Sequence, residues 1–392
     1  MENNNKNKMS LNENNKVPKL RFPEFKNSYL CSKMGDKFLI QRGGSPRPIY
    51  KYITNNNDGY NWIKISDADS TGFINKTKEK IKKEGLNKTK QVFKGDLLLS
   101  NSMSYGRPYI CKIDGCIHDG WLLIRNKETF NLSYLKQYLQ SIHLLKKYER
   151  LAAGGVVNNL NKELISSIEI YYPTIMEQQK ISDFFDFVDN KINIIENKIK
   201  VLKQYKKGLL ESIIFSWKKK SKKIHLYDLV NYKNSLLLIN SLNNVEKGNY
   251  PIFDASGKSF ISVNFFLNNQ DSIGIIKYGS SCGKIFNFKG KHSVIGTLGE
   301  MIPKDSNDID FIYYYLLSNE FKRITKKYTE IGTTPNLYFS DYSIFSLSYF
   351  EKEKRNQFCL IFKNLDILIQ KSETILSKII LIKQFLLNKL FI

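Results

Sequence analysis

Residues 181–199 read ISDFFDFVDNKINIIENKI, and a similar stretch, FCLIFKNLDILIQKSETIL, returns at residues 358–376. In both stretches the apolar residues recur at alternating steps of four and three positions. Such steps average about 3.5 residues, the period of a coiled-coil seam, which is narrower than the apolar face of a helix on a globular core. The sequence therefore predicts two long helices, each with one apolar seam.

These helices belong to a longer internal repeat. Gly155 matches Gly332 and Leu209 matches Leu386, and both pairs are separated by 177 positions. More than fifty residues therefore align without an insertion. A constant separation over this length is expected of a rigid element that occurs twice in the chain.

The two predicted seams have matching interruptions. Lys206 and Lys383 occupy equivalent seam positions. The sequence leaves open whether these lysines face a partner or solvent. The apolar seam residues are Ile181, Phe185, Val188, Ile192, Ile195, Ile199 and Leu202 in the first copy, and Phe358, Phe362, Leu365, Ile369, Leu376 and Ile379 in the second.

A long helix with an apolar seam needs a partner. From Ile181 to Ile213 a helix extends about 48 Å, at about 1.5 Å per residue. The chain supplies a second helix of matching length, so we expect an antiparallel intramolecular pair, with a homodimeric coiled coil as the alternative. Thr174 and Glu177 fit a capping box at the start of the first helix.

Short β-type runs and turns rich in Gly, Ser and Asn surround the helices. Each such region ends in an amphipathic helix, so both are predicted to be the same mixed α/β domain in a chain of the α+β class. The predicted organisation is a disordered tail at 1–16, a first body at 17–172, a central helix at 173–217, a second body at 218–349 and a C-terminal helix at 350–392.

Charge and composition restrict the partners. The net charge of +24 and pI of about 9.5 favour a polyanion such as nucleic acid, although a bias toward Lys, Asn and Ile is an alternative source of the excess. The N-terminus lacks the apolar core of a signal peptide, and no run reaches the roughly 20 apolar residues of a membrane span, so a cytoplasmic protein is expected. Five scattered cysteines indicate thiols rather than disulfides.

Polar loops in both bodies are the candidate DNA-binding sites. Glycine lets a backbone approach phosphates, while basic, hydroxyl and aromatic side chains reach phosphates or base edges. The first body offers Arg42, Ser45, Arg47, Ser102, Ser104, Tyr105 and Arg107. The second offers Lys258, Lys277, Tyr278, Ser280, Ser281 and Lys284.

The sequence contains no recognisable catalytic motif. The segment SGKS at 256–259 lacks the first glycine of a phosphate loop, since Ile252 occupies that position. Adenine methyltransferases carry two adjacent prolines in their motif, and this chain has no such pair. The four histidines lie far apart, and the cysteines lack metal-ligand spacing. We therefore expect a binding protein with no catalytic residue, no metal and no cofactor of its own.

Several segments together resemble the specificity subunit of Type I restriction-modification systems. VPKLRFPEF (17–25) is similar to the usual opening of that family, and GGSPRP followed by YNWIKISD to the start of its first target-recognition domain. EQQKI (177–181) and YKKGLLESIIF (205–215) are similar to its central helix. The resemblance covers nearly the whole chain after the tail, but KRNQF (354–358) stands where the first copy has EQQKI.

The resemblance implies two target-recognition domains that read the two halves of a split double-stranded DNA sequence, held apart by two antiparallel helices. Two modification subunits, which bind S-adenosylmethionine and methylate adenine, would dock on those helices, and restriction subunits would join them for cleavage in defence against foreign DNA. The alternative function is a coiled-coil scaffold that binds nucleic acid without sequence preference.

Overall fold

The computed structural model describes residues 17–69, 71–101, 106–153, 160–242, 245–329 and 335–392. The chain divides into two compact units. The first unit comprises the chain up to Glu196 together with Thr374–Ile392, and the second comprises Asn197–Glu373. Each unit thus contains one mixed body and parts of both long helices.

The first unit begins with twelve short strands and four short helices and then enters the first long helix. In chain order these are β1 Leu30–Lys33, α1 Met34–Lys37, β2 Phe38–Arg42, β3 Ile53–Thr54, β4 Tyr60–Ile63, β5 Phe73–Ile74, β6 Glu79–Ile81, β7 Lys90–Val92, β8 Leu97–Ser100, β9 Pro108–Cys111, β10 Gly115–Ile117, β11 Trp121–Asn126, α2 Leu132–Tyr138, α3 Ile142–Ala153, α4 Lys162–Ser167, β12 Glu169–Tyr172 and the long helix α5 Ile175–Trp217.

Three sheets organise these strands. The order β2-β11-β8-β9-β5 forms the sheet next to the helices, β3-β6-β4-β10-β7 forms a second five-stranded sheet, and β1 pairs with β12. In the first sheet β11 is antiparallel to β2 and to β8, with Leu122 opposite Arg42 and Leu99. The central strands β8 and β11 are rich in Leu and Ile and are largely buried, as expected for strands that are covered on both faces.

The second unit continues from α5 with nine strands and four short helices before the second long helix. They are β13 Lys222–His225, α6 Leu226–Leu229, β14 Val230–Asn234, β15 Lys247–Phe253, β16 Ser259–Val263, β17 Ser272–Ile276, β18 Ile285–Phe288, β19 Ser293–Val294, β20 Leu298–Pro303, α7 Ile309–Leu316, α8 Asn319–Thr329, α9 Phe339–Ser343, β21 Ser346–Tyr349 and the long helix α10 Lys352–Leu390. Their sheets have the orders β14-β20-β17-β18, β16-β15-β19 and β13-β21.

The two bodies have the same plan, which confirms the predicted α+β class with two similar mixed domains. The pair β1-β12 corresponds to β13-β21, and the sheet centred on β11 corresponds to the one centred on β20. The 177-residue separation already holds at the start of β11 and β20, Trp121 and Leu298. Before that point the first body is longer by 15 residues, because β2 begins 83 residues before β11, whereas β14 begins 68 residues before β20.

Within each unit the two long helices run antiparallel. In the first unit Phe185 stacks on Phe391, with ring centroids 5.8 Å apart, and Asp189 pairs with Lys383. As α5 advances, its partners on α10 move backward. The second unit behaves likewise, since Lys203 pairs with Glu373 at 2.7 Å and Lys206, further along α5, pairs with Asp366. The pairing is intramolecular in both units.

The structure buries or half-buries all thirteen predicted seam residues. Near the N-terminal end of each long helix, the seam packs on a mixed body as well as on the other helix. Phe358 makes edge contact with Phe311 of α7, and Phe362 lies 5.4 Å from the ring of Tyr314. In the first unit Ile181 and Phe185 join the same core as Tyr134 of α2. These seam positions therefore attach each body to the helices.

Glu177 differs from the capping-box prediction. Its carboxylate accepts two hydrogen bonds from Arg21, each 2.8 Å, and one from Tyr29. Glu177 is 1% exposed, so its charge requires a partner, and the guanidinium of Arg21 supplies one. The segment around residue 21 is thereby fastened to the start of α5 in the first unit.

The five cysteines are free. Burial raises the pKa of both Cys111 and Cys116 to about 12, so these thiols stay protonated near neutral pH. Among the described residues, no group of three or more His, Cys, Asp or Glu side chains could hold a metal ion. None of the helices in the described part of the chain is long and apolar enough to cross a membrane.

Candidate DNA interface

The end of β2 leads into a tight approach between three backbone segments of the first body. Gly43 donates its N–H to the carbonyl of Trp121, and Gly44 donates to Ile117. A Cβ atom at Gly43 would lie 2.2 Å from the carbonyl oxygen of His118, and one at Gly44 only 2.5 Å from that of Lys88. Only glycine fits here, because each close neighbour is backbone.

This approach brings Arg42 and Ser45 to Asp119, which follows β10. The hydroxyl of Ser45 donates to Oδ1 of Asp119 at 2.8 Å, and Nε of Arg42 donates to the backbone carbonyl of Asp119 at 3.2 Å. Nε2 of His118 lies 2.9 Å from the same Oδ1. Asn101, at the end of β8, donates its amide to the Asp119 carbonyl at 2.9 Å. We call these five residues the Asp119 cluster.

The carboxylate of this cluster is held in its charged form. Burial acts to raise the pKa of Asp119, but the hydrogen bond from Ser45 and the charges of His118 and Arg42 outweigh it, and the pKa is lowered. Asp119 and His118 remain partly exposed, with side chains 34% and 40% accessible. The cluster can thus present an acceptor and several donors to a ligand in solvent.

A cleft of about 910 Å³ opens beside the cluster. Arg47 lies on its wall next to a cis peptide bond to Pro48. Lys64 and Glu79 form an ion pair on the wall. Trp62 lines the cleft and meets the ring of His118 edge-on. Cationic, anionic and aromatic groups therefore face one concave surface.

Arg107 lies apart from this cleft. It is exposed at the start of β9, and its backbone carbonyl and N–H bond to Ser100 of β8. It lines a second cavity of about 490 Å³ in the first unit, together with Lys136, Asp189 and Lys383. The remaining predicted residues of this loop, Ser102, Ser104 and Tyr105, lie outside the described residues.

The β17–β18 hairpin carries the second body's main candidate loop. Lys277 is 7% exposed, and its Nζ donates to Asn234 at 3.2 Å. Burial lowers the pKa of Lys277, and this lysine is attached to the framework rather than extended into solvent. Tyr278, Ser280 and Ser281 are exposed beyond it, and positive φ angles at Gly279 and Gly283 shape the turn.

Phe286 brings Lys258 and Lys284 to one surface. A Cβ atom at Gly257, next to Lys258, would lie 2.1 Å from the ring of Phe286, so this loop rests directly on the ring. Lys284 extends its ammonium over the same ring, 5.1 Å from the centroid. Both lysines are exposed. The second body therefore joins two basic loops around one aromatic side chain.

The structure brings only part of each predicted set together. In the first body Arg42, Ser45 and Arg47 share a surface, while Arg107 lies in another cavity. His118 and Asp119, which follow β10, were not among the predicted residues, because Asp119 meets Ser45 only in the folded chain. His118, Asp119 and Gly120 follow β10 directly, and such a run of polar residues and glycine is typical of a turn.

A family model described as Type I restriction modification DNA specificity domain matches this chain twice, at residues 29–204 and 218–384. The two matches follow the internal repeat and cover most of the sequence. The chain therefore belongs to the Type I restriction-modification DNA specificity family, as the resemblance of its sequence segments predicted. The matched domain is a DNA-recognition domain, and the role of the chain is specificity rather than catalysis.

Solved structures share the fold over nearly the full length. The S subunit of a Type I restriction-modification system from M. genitalium has a TM-score of 0.63 at 18% identity, covering 96% of this chain and 99% of that chain. A chain from a structure concerned with complex assembly and conformational transition of the type I R-M system has a TM-score of 0.50 at 14% identity, with 92% and 96% covered. At these identities the likeness concerns the fold.

Proposed function

We propose that the chain recognises a bipartite double-stranded DNA sequence, with one part read by each body, and recruits modification subunits to its long helices. Two modification subunits would carry S-adenosylmethionine and methylate adenine, and restriction subunits would join them for cleavage. The observation that carries the proposal is the duplicated DNA specificity domain, whose framework repeats while its loops differ.

The chemistry of the first body suits sequence reading. In the major groove each base pair offers a distinct pattern of donors and acceptors. The Asp119 cluster supplies an ionised acceptor at Asp119 and donors at Arg42 and Ser45. A carboxylate can accept from the amino group of cytosine, and arginine can donate to guanine. This mixture fits base recognition better than a purely basic surface would.

The second body has different chemistry at its loops. Its exposed candidates are Lys258, Lys284 and Tyr278, with hydroxyls at Ser280 and Ser281. Lys284, over the ring of Phe286, and Lys258 provide donors and positive charge, and no counterpart of the Asp119 carboxylate is among these residues. Two bodies with unlike loops are expected to read unlike sequences, so the proposed target is asymmetric.

The outer faces of the long helices offer apolar surface for protein partners. In the first unit Phe187 and Ile194 of α5 are exposed and lie seven positions apart, on one side of the helix. In the second unit Leu360 and Ile367 of α10 have the same spacing and are likewise exposed. Residues of this kind at helical spacing are a common anchor for a partner protein, and we assign them to the modification subunits.

Methylome sequencing tests the proposal. Cells would express this chain with its modification partner, and the expected result is a split motif with methylated adenine. Arg47→Ala should relax one part of that motif, and Lys284→Ala the other part, because the two residues belong to different bodies. An intact complex that methylates without any motif would instead support the scaffold with non-specific nucleic-acid binding.

A purified chain that transfers methyl groups or cuts DNA without partners would also contradict the proposal.

A further inference from the structure

One carboxylate in the first unit joins three helices. Asp189 of α5 receives a hydrogen bond from the side-chain amide of Gln137, on α2, at 3.0 Å. Its other oxygen lies 2.6 Å from Nζ of Lys383, on α10. Asp189 and Lys383 are largely buried, with side chains 19% and 14% accessible. The body and both long helices thus meet at a single side chain.

The second unit contains the same set of contacts, with Asp366 more exposed than Asp189, since 41% of its side chain is accessible. Asp366 of α10 receives a hydrogen bond from the hydroxyl of Tyr314, on α7, at 2.9 Å. Its other oxygen pairs with Nζ of Lys206, on α5, at 2.5 Å. Lys206 also lies over the ring of Tyr314, 5.1 Å from the centroid.

The three members of each arrangement are related by the internal repeat. Asp189 and Asp366, Lys383 and Lys206, and Gln137 and Tyr314 each differ by 177 positions. In each unit the aspartate of one copy therefore pairs with the lysine of the other copy. The donor on the body is an amide in one unit and a phenol in the other, yet it reaches the same carboxylate oxygen, Oδ2. The two copies therefore share a hydrogen-bond donor at this position, although the residue that donates differs.

We propose that Asp189 and Asp366 are positioning residues that set the orientation of each recognition body on the helix pair. This inference rests on the proposed function, since it concerns how DNA held by a body is presented to a methyltransferase on the helices. A charge-assisted hydrogen bond is directional and about twice as strong as a neutral one, so it fixes an angle that apolar packing leaves adjustable.

The orientation of the bound DNA should affect the methylation rate more than it affects the affinity for DNA. A misplacement of about 1 Å between reacting groups can reduce a rate about 100-fold, while the loops of the body still contact the DNA. Loss of either aspartate bond should therefore lower the methylation rate more than it lowers DNA affinity.

Hydrogen exchange on the full-length chain tests the local part of the inference. Asp189→Asn should increase amide exchange in α2 about tenfold, because a lost charge-assisted bond makes local opening easier, and leave α7 unchanged. Asp366→Asn should do the converse. Glu196→Gln is the first control, since Glu196 is an exposed carboxylate on α5, seven positions after Asp189. Glu373→Gln is the second, because it breaks only the exposed ion pair to Lys203 between the helices.

Methylation kinetics of the complex with the modification subunit test the functional part. For Asp189→Asn and Asp366→Asn we expect kcat to fall about tenfold, with KM for DNA within twofold of the parent value. Adding Gln137→Leu to Asp189→Asn should cause little further loss, because the asparagine has already lost the charge that makes the bond to Gln137 strong and directional. Controls should retain the parent kcat.

The outcomes separate the two proposals. If the parent complex methylates without a motif but exchange changes as expected, the proposed function fails and the anchoring role of the aspartates stands. If the motif is intact and Asp189→Asn alters neither exchange nor kcat, the inference is wrong and the proposed function stands. A rise in KM at unchanged kcat would also contradict positioning, because it assigns the aspartates to DNA affinity.

Discussion

Replacing Asp119 by alanine should separate recognition from folding in the first body. The side chain accepts a hydrogen bond from Ser45 and faces His118. A part-buried hydrogen bond contributes about 1 kcal/mol, and the contact with His118, more than a third exposed, contributes about 0–1 kcal/mol after solvent screening. The free energy of unfolding should therefore fall by about 1–2 kcal/mol, which lowers Tm by roughly 2–8 °C in a unit of this size.

Asp119→Ala should impair DNA recognition more than it impairs folding. If the carboxylate of Asp119 accepts from a base, discrimination at one base pair falls by about 1–3 kcal/mol, and one half of the methylated motif becomes degenerate at that position. Thermal unfolding and methylome sequencing measure the two effects on the same variant. Asp114→Ala is the control, because Asp114 is an exposed carboxylate at the other end of β10 that accepts from the backbone N–H of Lys94. An unchanged motif in Asp119→Ala, with the expected loss of stability, would refute base reading by this cluster.

Two further substitutions address other parts of the chain. Arg107→Ala should weaken or relax only one half of the motif, by about 1–3 kcal/mol if Arg107 reads a base, and a uniform loss on all DNA would indicate a phosphate contact. Glu300→Gln should cost about 3 kcal/mol of stability at neutral pH, because the buried carboxylate accepts from His292, Ser272 and Asn268. Burial acts to raise the pKa of Glu300, but these hydrogen bonds outweigh it and lower the pKa below 4.5. Its contribution is therefore complete above pH 4.5 and disappears as pH falls through the lowered pKa. Urea unfolding across pH 3–7 should show the two proteins converging at acid pH, and a constant difference would contradict this assignment.

The helices were predictable because their signal is local. A seam at steps of four and three can be recognised without knowing the partner, and the 177-residue separation indicated that Asp189 and Asp366 occupy equivalent places. The lysine pairing was not predictable, since Lys383 meets Asp189 only after the helices are paired antiparallel. Periodicity determines which side of a helix is apolar, but it does not identify the polar neighbour from a distant segment.

The recognition surface was less predictable for the same reason. Ser45 and Asp119 are 74 positions apart, and they meet because Gly43 and Gly44 let β2 end against the chain beside β10. The glycines were visible in the sequence as part of a polar loop, but their role depends on which backbone they approach. Glu177 also fits a local motif, the capping box, but in the structure its carboxylate binds the guanidinium of Arg21, which is distant in sequence.

The internal repeat allows the two kinds of site to be compared within one molecule. The aspartate and lysine that connect the helices are identical in the two copies, whereas the loops that carry the candidate DNA contacts differ in length and in residue type. A side chain that joins three helices has restricted freedom, because any change disturbs several partners at once. A loop on a rigid sheet can change without disturbing its neighbours. This difference would let one framework, used twice in a chain, read two different DNA sequences, as the proposed function requires.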